Sequence, residues 1–98
     1  MAGYVIVEVE ITNRAGYGEF LEKVTSTVEA HGGKFVVRGG DIDVIEGNWT
    51  PMRLAVLEFE SAVRAREWLG SPEYNELNDL RTSSSNINMV LVEGLLGP

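Results

Sequence analysis

Cysteine is absent from this chain, which removes disulfides, thiolate nucleophiles and Cys-ligated zinc or iron–sulfur centres. Histidine is nearly absent as well: His31 is the only imidazole, and one histidine without a clear carboxylate spacing is a poor metal signature. No metal is expected. Basic residues are few, with 8 Lys and Arg against 15 Asp and Glu and a formal charge of -7. That balance repels phosphate backbones and anionic membrane surfaces, so nucleic acid is not an expected partner. The glycine pairs Gly32-Gly33 and Gly39-Gly40 lack the spacing of a dinucleotide or phosphate loop, and no cofactor is expected. No apolar run approaches the roughly 20 residues that span a bilayer, and no basic segment followed by an apolar one precedes the first strand pattern. A membrane partner is therefore not expected, and cytoplasm is the default location.

What is present is a chain of 98 residues, 44% hydrophobic, the composition of one ordinary globular domain spanning 1–98. A chain this short buries only about 60 to 65% of its unfolded surface, which makes self-association an early expectation. Residues 4–11 alternate with period two, Val5, Val7, Val9 and Ile11 on one face and Tyr4, Ile6, Glu8 and Glu10 on the other. Asn13 is placed to cap a helix whose apolar positions are Tyr17, Phe20, Leu21, Val24 and Val28, and Gly32-Gly33 stops it. Phe35 and Val37 then alternate with Val36 and Arg38. Gly39-Gly40 suggests a bulge, Ile42 to Glu46 continues in extended form, and residues 47–51 read as a hairpin loop. Met52 to Phe59 is a third strand. Ser61 can cap a second helix carrying Ala65, Trp68 and Leu69, and Ser71-Pro72-Glu73 opens a further helical segment with Tyr74, Leu77 and Leu80 on its apolar face. Residues 82–86 read as a polar connector before a last strand, Ile87 to Glu93.

The order strand, helix, strand, strand, helix, strand predicts an α+β ferredoxin-like plait, with helices on one face of a four-stranded antiparallel sheet. Ile6, Val36, Leu54 and Val56 fall on the opposite, open face, too much apolar surface to leave wet. A second copy of the chain is the economical cover, giving a homodimer.

The same alternation supplies the candidate site. It sends Arg38 to the open face beside Glu58 and Glu8, an acid–base cluster in which the guanidinium binds a carboxylate, phosphate or enolate oxygen and a glutamate acts as base. The bland reading of the same residues is a cross-strand Arg38–Glu58 ion pair, and it carries the greater weight. His31, on the last turn of the first helix, is placed to bond a terminal carbonyl and answer the helix dipole; proton transfer is its minor reading. Tyr17 and Tyr74 read first as core residues whose hydroxyls reach the surface, and second as ligand-lining groups. Trp68 is core, whereas Trp49 has no obvious cover within the chain.

The segments Tyr4-Val5-Ile6, Gly33-Lys34-Phe35-Val36-Val37-Arg38-Gly39-Gly40, Glu46-Gly47-Asn48-Trp49, Leu57-Glu58-Phe59 and Ser71-Pro72-Glu73-Tyr74 together resemble the 1330 family of domains of unknown function, almost from end to end. The resemblance implies the dimeric α/β-barrel superfamily, in which two ferredoxin-like plaits pair sheet to sheet. Several branches use the resulting cavities for small organic ligands, as cofactor-free monooxygenases, muconolactone isomerase-like enzymes or ligand-sensing domains. Two functions follow as expectations: a protein that binds a small anionic or aromatic molecule, extending to a cofactor-independent enzyme such as an isomerase or oxygenase with its cavity around Arg38, or a non-catalytic dimeric binding or interaction module. Whether it is an enzyme is left open.

Overall fold

The computed structural model describes residues 1–95. Strands β1 (Gly3–Ile11), β2 (Lys34–Arg38), β3 (Leu54–Phe59) and β4 (Ser85–Glu93) form one antiparallel sheet in the order β2-β3-β1-β4. The helices α1 (Arg14–Ala30), α2 (Ala62–Leu69), α3 (Pro72–Asn75) and α4 (Asn78–Ser84) complete the chain. This is the ferredoxin-like plait that the element order predicts. Among the described residues no helix is long and apolar enough to cross a membrane.

The core lies between helices and sheet and follows from two periodicities. Val5, Val7 and Val9 alternate along β1, Ala55, Leu57 and Phe59 along β3, and Tyr17, Phe20, Val24 and Val28 recur along α1; all are buried. Trp68 of α2 fills the centre, its ring centroid 5.3 Å from that of Phe59 and 4.5 Å from that of Tyr74. Its indole Nε1–H donates to Thr27 Oγ1 at 2.9 Å, so the buried ring leaves no polar atom unpaired.

The expected caps are in place. Asn13 accepts from the Gly16 N–H, Ser61 from that of Arg64 and Ser71 from that of Tyr74, with Pro72 in the first turn of α3. At the far end of α1, Gly32 has φ 75°, and the N–H groups of Gly32 and Gly33 bond the carbonyls of Glu29 and Val28. This pattern closes a helix through a left-handed residue.

Three expectations are corrected. Residues 82–86 are not a connector, because α4 continues to Ser84 and β4 begins at Ser85. The polar run stays helical by turning its hydroxyls onto carbonyls of the preceding turn: Thr82 bonds Asn78 and Ser84 bonds Leu80. The second strand stops at Arg38, so Ile42 to Glu46 does not continue it and residues 39–53 form a long arm. The strand irregularity lies between Phe35 and Val37 rather than at Gly39-Gly40.

Among the described residues no helix lies on the second sheet face. In register across the four strands run Val37, Val56, Ile6 and Val90, and Val37 and Val90 remain 45% and 58% exposed. The molecule is a slab of 42 × 39 × 16 Å.

Candidate ligand site

Arg38 is the residue whose position differs most from the alternation argument. Lys34 lies opposite Glu58 and Phe35 opposite Leu57, but Val37 then lies opposite Val56 and Arg38 opposite Ala55. Val36 is one residue too many for the ladder, and a single insertion reverses every facing that follows. Arg38 therefore shares the helix-covered face with Ala55, its guanidinium carbon 5.1 Å from the centre of the Phe35 ring. The expected cluster of Arg38 with Glu58 and Glu8 does not form, and neither does the Arg38–Glu58 ion pair.

The two glutamates stay on the open face with other partners. Glu58 accepts from the Tyr4 hydroxyl at 2.8 Å and lies 3.4 Å from Lys34 Nζ. The Tyr4 hydrogen bond, reinforced by Lys34, holds the carboxyl below the usual carboxylate range, and the same bond raises the Tyr4 hydroxyl. Glu8 accepts from Trp49 Nε1 at 2.9 Å and from Asn88 Nδ2 at 3.0 Å, which ties the arm back onto the sheet. The Trp49 ring nevertheless stays 60% exposed.

His31 follows the last residue of α1, just before β2, whereas Arg38 ends that strand, and among the described residues no recess is lined by both. The His31 Nδ1 lies 2.8 Å from the Thr27 carbonyl, which can only accept, so Nδ1 carries the hydrogen. This is the helix-terminal role expected of it.

Tyr17 and Tyr74 do come together. Both line an apolar cavity of about 40 Å³ between sheet and helices, along with Phe20, Leu57, Met89 and Arg81. Burial raises the pKa of each hydroxyl; Arg53 and Arg38 partly counter this at Tyr17, and Arg81 at Tyr74. At neutral pH both are protonated. The cavity thus presents hydroxyl donors and a guanidinium, with no carboxylate or imidazole among its lining residues. Such a set suits a ligand oxygen that accepts hydrogen bonds, an oxyanion above all.

A second, open recess of about 440 Å³ adjoins it at the end of the sheet where β1 stops and α1 starts, lined by Val9, Ile11, Arg14, Tyr17, Met52 and Arg53. Tyr17 belongs to both spaces. Arg14, Arg53 and Arg81 were not singled out from the sequence, although two carried a signal. Arg53 has the parity of Ala55 and Leu57 on its strand, and Arg81 stands at helical spacing from Tyr74 and Leu77. Among the described residues no group of three His, Asp or Glu side chains is placed to hold a metal ion.

Fold and cavity together define a ferredoxin-like α+β protein with an apolar pocket between its layers. The chain belongs to the family described as Domain of unknown function (DUF1330), which it matches over residues 2–95. Among solved structures it resembles RPA0582, a protein of unknown function from Rhodopseudomonas palustris, with a TM-score of 0.79 at 16% identity over 98% of this chain and 84% of that one. It also resembles SnoaB, a cofactor-independent oxygenase from Streptomyces nogalater, with a TM-score of 0.66 at 11% identity over 98% and 94% of the two chains. A dimeric protein of unknown function and ferredoxin-like fold from Bacteroides fragilis gives 0.57 at 13% identity over 95% and 96%. At these identities the likeness is one of fold. No curated protein matches the sequence.

Proposed function

We propose that the chain, as a single domain of residues 1–98, forms a two-fold homodimer through its open sheet faces, a dimeric α/β barrel. Each subunit binds a small organic molecule in the open recess of about 440 Å³ that shares Tyr17 with the pocket between its own sheet and helices. The observation that carries the binding reading is the lining of the cavity: Tyr17, Tyr74 and Arg81 are its polar residues in an otherwise apolar space. A mostly apolar enclosure with a few convergent polar groups is the usual make-up of a ligand site. SnoaB, a fold relative, is a cofactor-independent oxygenase, and a pocket able to hold an oxyanion without metal or cofactor is compatible with chemistry of that kind. No carboxylate or imidazole is among the lining residues, so a proton lost by the ligand passes to water.

A second reading is favoured by the cavity's size. At about 40 Å³ it has room for a water molecule or two but not for an aromatic ring. On that reading the chain is a non-catalytic dimeric binding or interaction module. Native mass spectrometry of freshly purified protein, followed by a thermal-shift screen of phenols and enolisable ketones, separates the two. A retained small-molecule mass, or a rise in Tm that Tyr17→Phe abolishes, is the expected result for a ligand-binding cavity. A chain that carries nothing and answers to none of these compounds leaves the module.

A further inference from the structure

This inference rests on the reading of the chain as a small-molecule binder and assigns the charge of the ligand. Arg14, Arg38 and Arg53 stand at the same end of the sheet. Arg53 directly precedes β3, its carbonyl accepting from the Val9 N–H at 2.9 Å, and so keeps the facing of Ala55. Arg38 lies opposite Ala55 on β2, which makes Arg38 and Arg53 diagonal neighbours on the helix-covered face. Both charges act on the Tyr17 hydroxyl. Arg14 and Arg53 line the recess that Tyr17 shares with the cavity. In a chain with nearly twice as many acidic as basic residues, none of the three joins an ion pair among the described residues, although Asp41 and Asp43 follow Arg38 closely in sequence.

Two details bear on Arg53, which is half-buried, and on Arg14, which is exposed. Gly39 has φ 69°, and a Cβ added there would lie 2.6 Å from Arg53 Nη2 and 3.1 Å from its guanidinium carbon. The guanidinium thus lies close over Gly39, where a Cβ would push its flexible end aside. Arg14 occupies the first turn of α1, which contains no acidic residue, so its charge adds to the positive end of the helix dipole instead of opposing it. Like charges gathered without counter-charges form a local positive field in a protein of opposite sign, and guanidinium groups match oxyanions with paired donors.

We propose that Arg14 and Arg53 form an anion-recognition site at the mouth of the pocket, with Arg38 adding its charge from the neighbouring strand. It takes an organic carboxylate whose apolar, aromatic-sized body lies along Val9, Ile11 and Met52 toward Tyr17. The recess, about 440 Å³, is within the range of small-ligand pockets.

Isothermal titration calorimetry on the intact protein tests this with 2-naphthoate, its neutral amide 2-naphthamide, and inorganic phosphate. Naphthoate should bind, more weakly as chloride is raised, while naphthamide and phosphate each bind at least about tenfold more weakly. Arg53→Met and Gly39→Ala should each lower naphthoate affinity by about tenfold or more. The second keeps every charge; it displaces the Arg53 head, a flexible side-chain end, and strains the backbone at φ 69°, so urea melts accompany it to show that the fold is kept. Naphthamide binding as tightly as naphthoate, with no effect of either variant, would overturn the anion site while leaving a small-molecule pocket standing. Phosphate binding as tightly as naphthoate overturns the assignment of an apolar body. If neither aromatic probe binds the unaltered protein, the proposal fails without reference to any variant, so a variant that does not fold cannot shelter it.

Discussion

Glu58 gives up its proton more readily than an ordinary glutamate because the Tyr4 hydroxyl donates to it at 2.8 Å, with Lys34 at 3.4 Å adding to the effect. The folded pKa lies below the unfolded one, so the contact stabilises fully above the ordinary carboxylate range. Its contribution is lost as pH falls through the depressed folded value. For Tyr4 the sign is opposite: its pKa is raised, and its share is complete below the ordinary tyrosine range and lost at strongly alkaline pH. Tyr4→Phe should therefore move the Glu58 titration midpoint upward, with Lys34 holding back part of the change. Side-chain carboxyl NMR across an acid titration reads it directly, and an unmoved midpoint would rule out the hydroxyl as the cause. At this scale the sequence was informative about residue type and less so about facing. Period two alone placed Glu8 and Glu58 on the open face. Arg38 was misplaced by the insertion at Val36, whose valine side chain is as acceptable in a regular strand as in a bulge.

Element boundaries follow local chemistry where that chemistry is unambiguous. Each cap seen in the sequence became a hydrogen bond, and Gly32 ends α1 at φ 75°, a conformation strained for residues with a Cβ. The serine-rich stretch before β4 was misread because hydroxyls serve both loops and helices. What tips it into α4 is tertiary: the Ser84 carbonyl receives the N–H groups of Thr12 and Asn13 at 2.9 and 3.1 Å, so the end of α4 anchors the start of α1. A Cβ on Gly32 would meet nothing closer than Arg64 Nη2 at 3.8 Å. Gly32→Ala should thus destabilise through backbone strain alone, by about 1 to 2 kcal/mol. Gly18, inside α1 with nothing within 4 Å of an added Cβ, should show the opposite sign, with Gly18→Ala stabilising by about 0.5 to 1 kcal/mol. Urea melts of the two variants beside the parent measure both. Equal midpoints for all three would mean that neither left-handed strain nor helix propensity governs α1.

At the scale of the whole molecule, the two-layer plait was legible because each strand and helix carries its own periodicity, and the open face because the strands carry apolar residues on both sides. What the sequence withheld was the long arm, whose residues Val44, Ile45, Trp49 and Met52 stay largely exposed, since extended loops and strands share a composition. The accessible surface is 6458 Å², whereas a monomer of 10.8 kDa is expected to expose about 5,500 Å². The excess belongs to a thin slab whose second face is uncovered. Apolar cover for that face is the proposed role of a second copy, with an interface well above about 1,000 Å² in total. Val56 sits at the centre of the exposed stripe, opposite both Ile6 and Val37. A lysine there would have to bury an unpaired ammonium in the dimer but would be solvated in a monomer. Val56→Lys should therefore shift the mass measured by light scattering from twice 10.8 kDa toward 10.8 kDa while leaving the far-ultraviolet circular dichroism unchanged. A parent protein that is already monomeric at micromolar concentration, or a variant that stays dimeric, would exclude the open sheet face as the dimer interface.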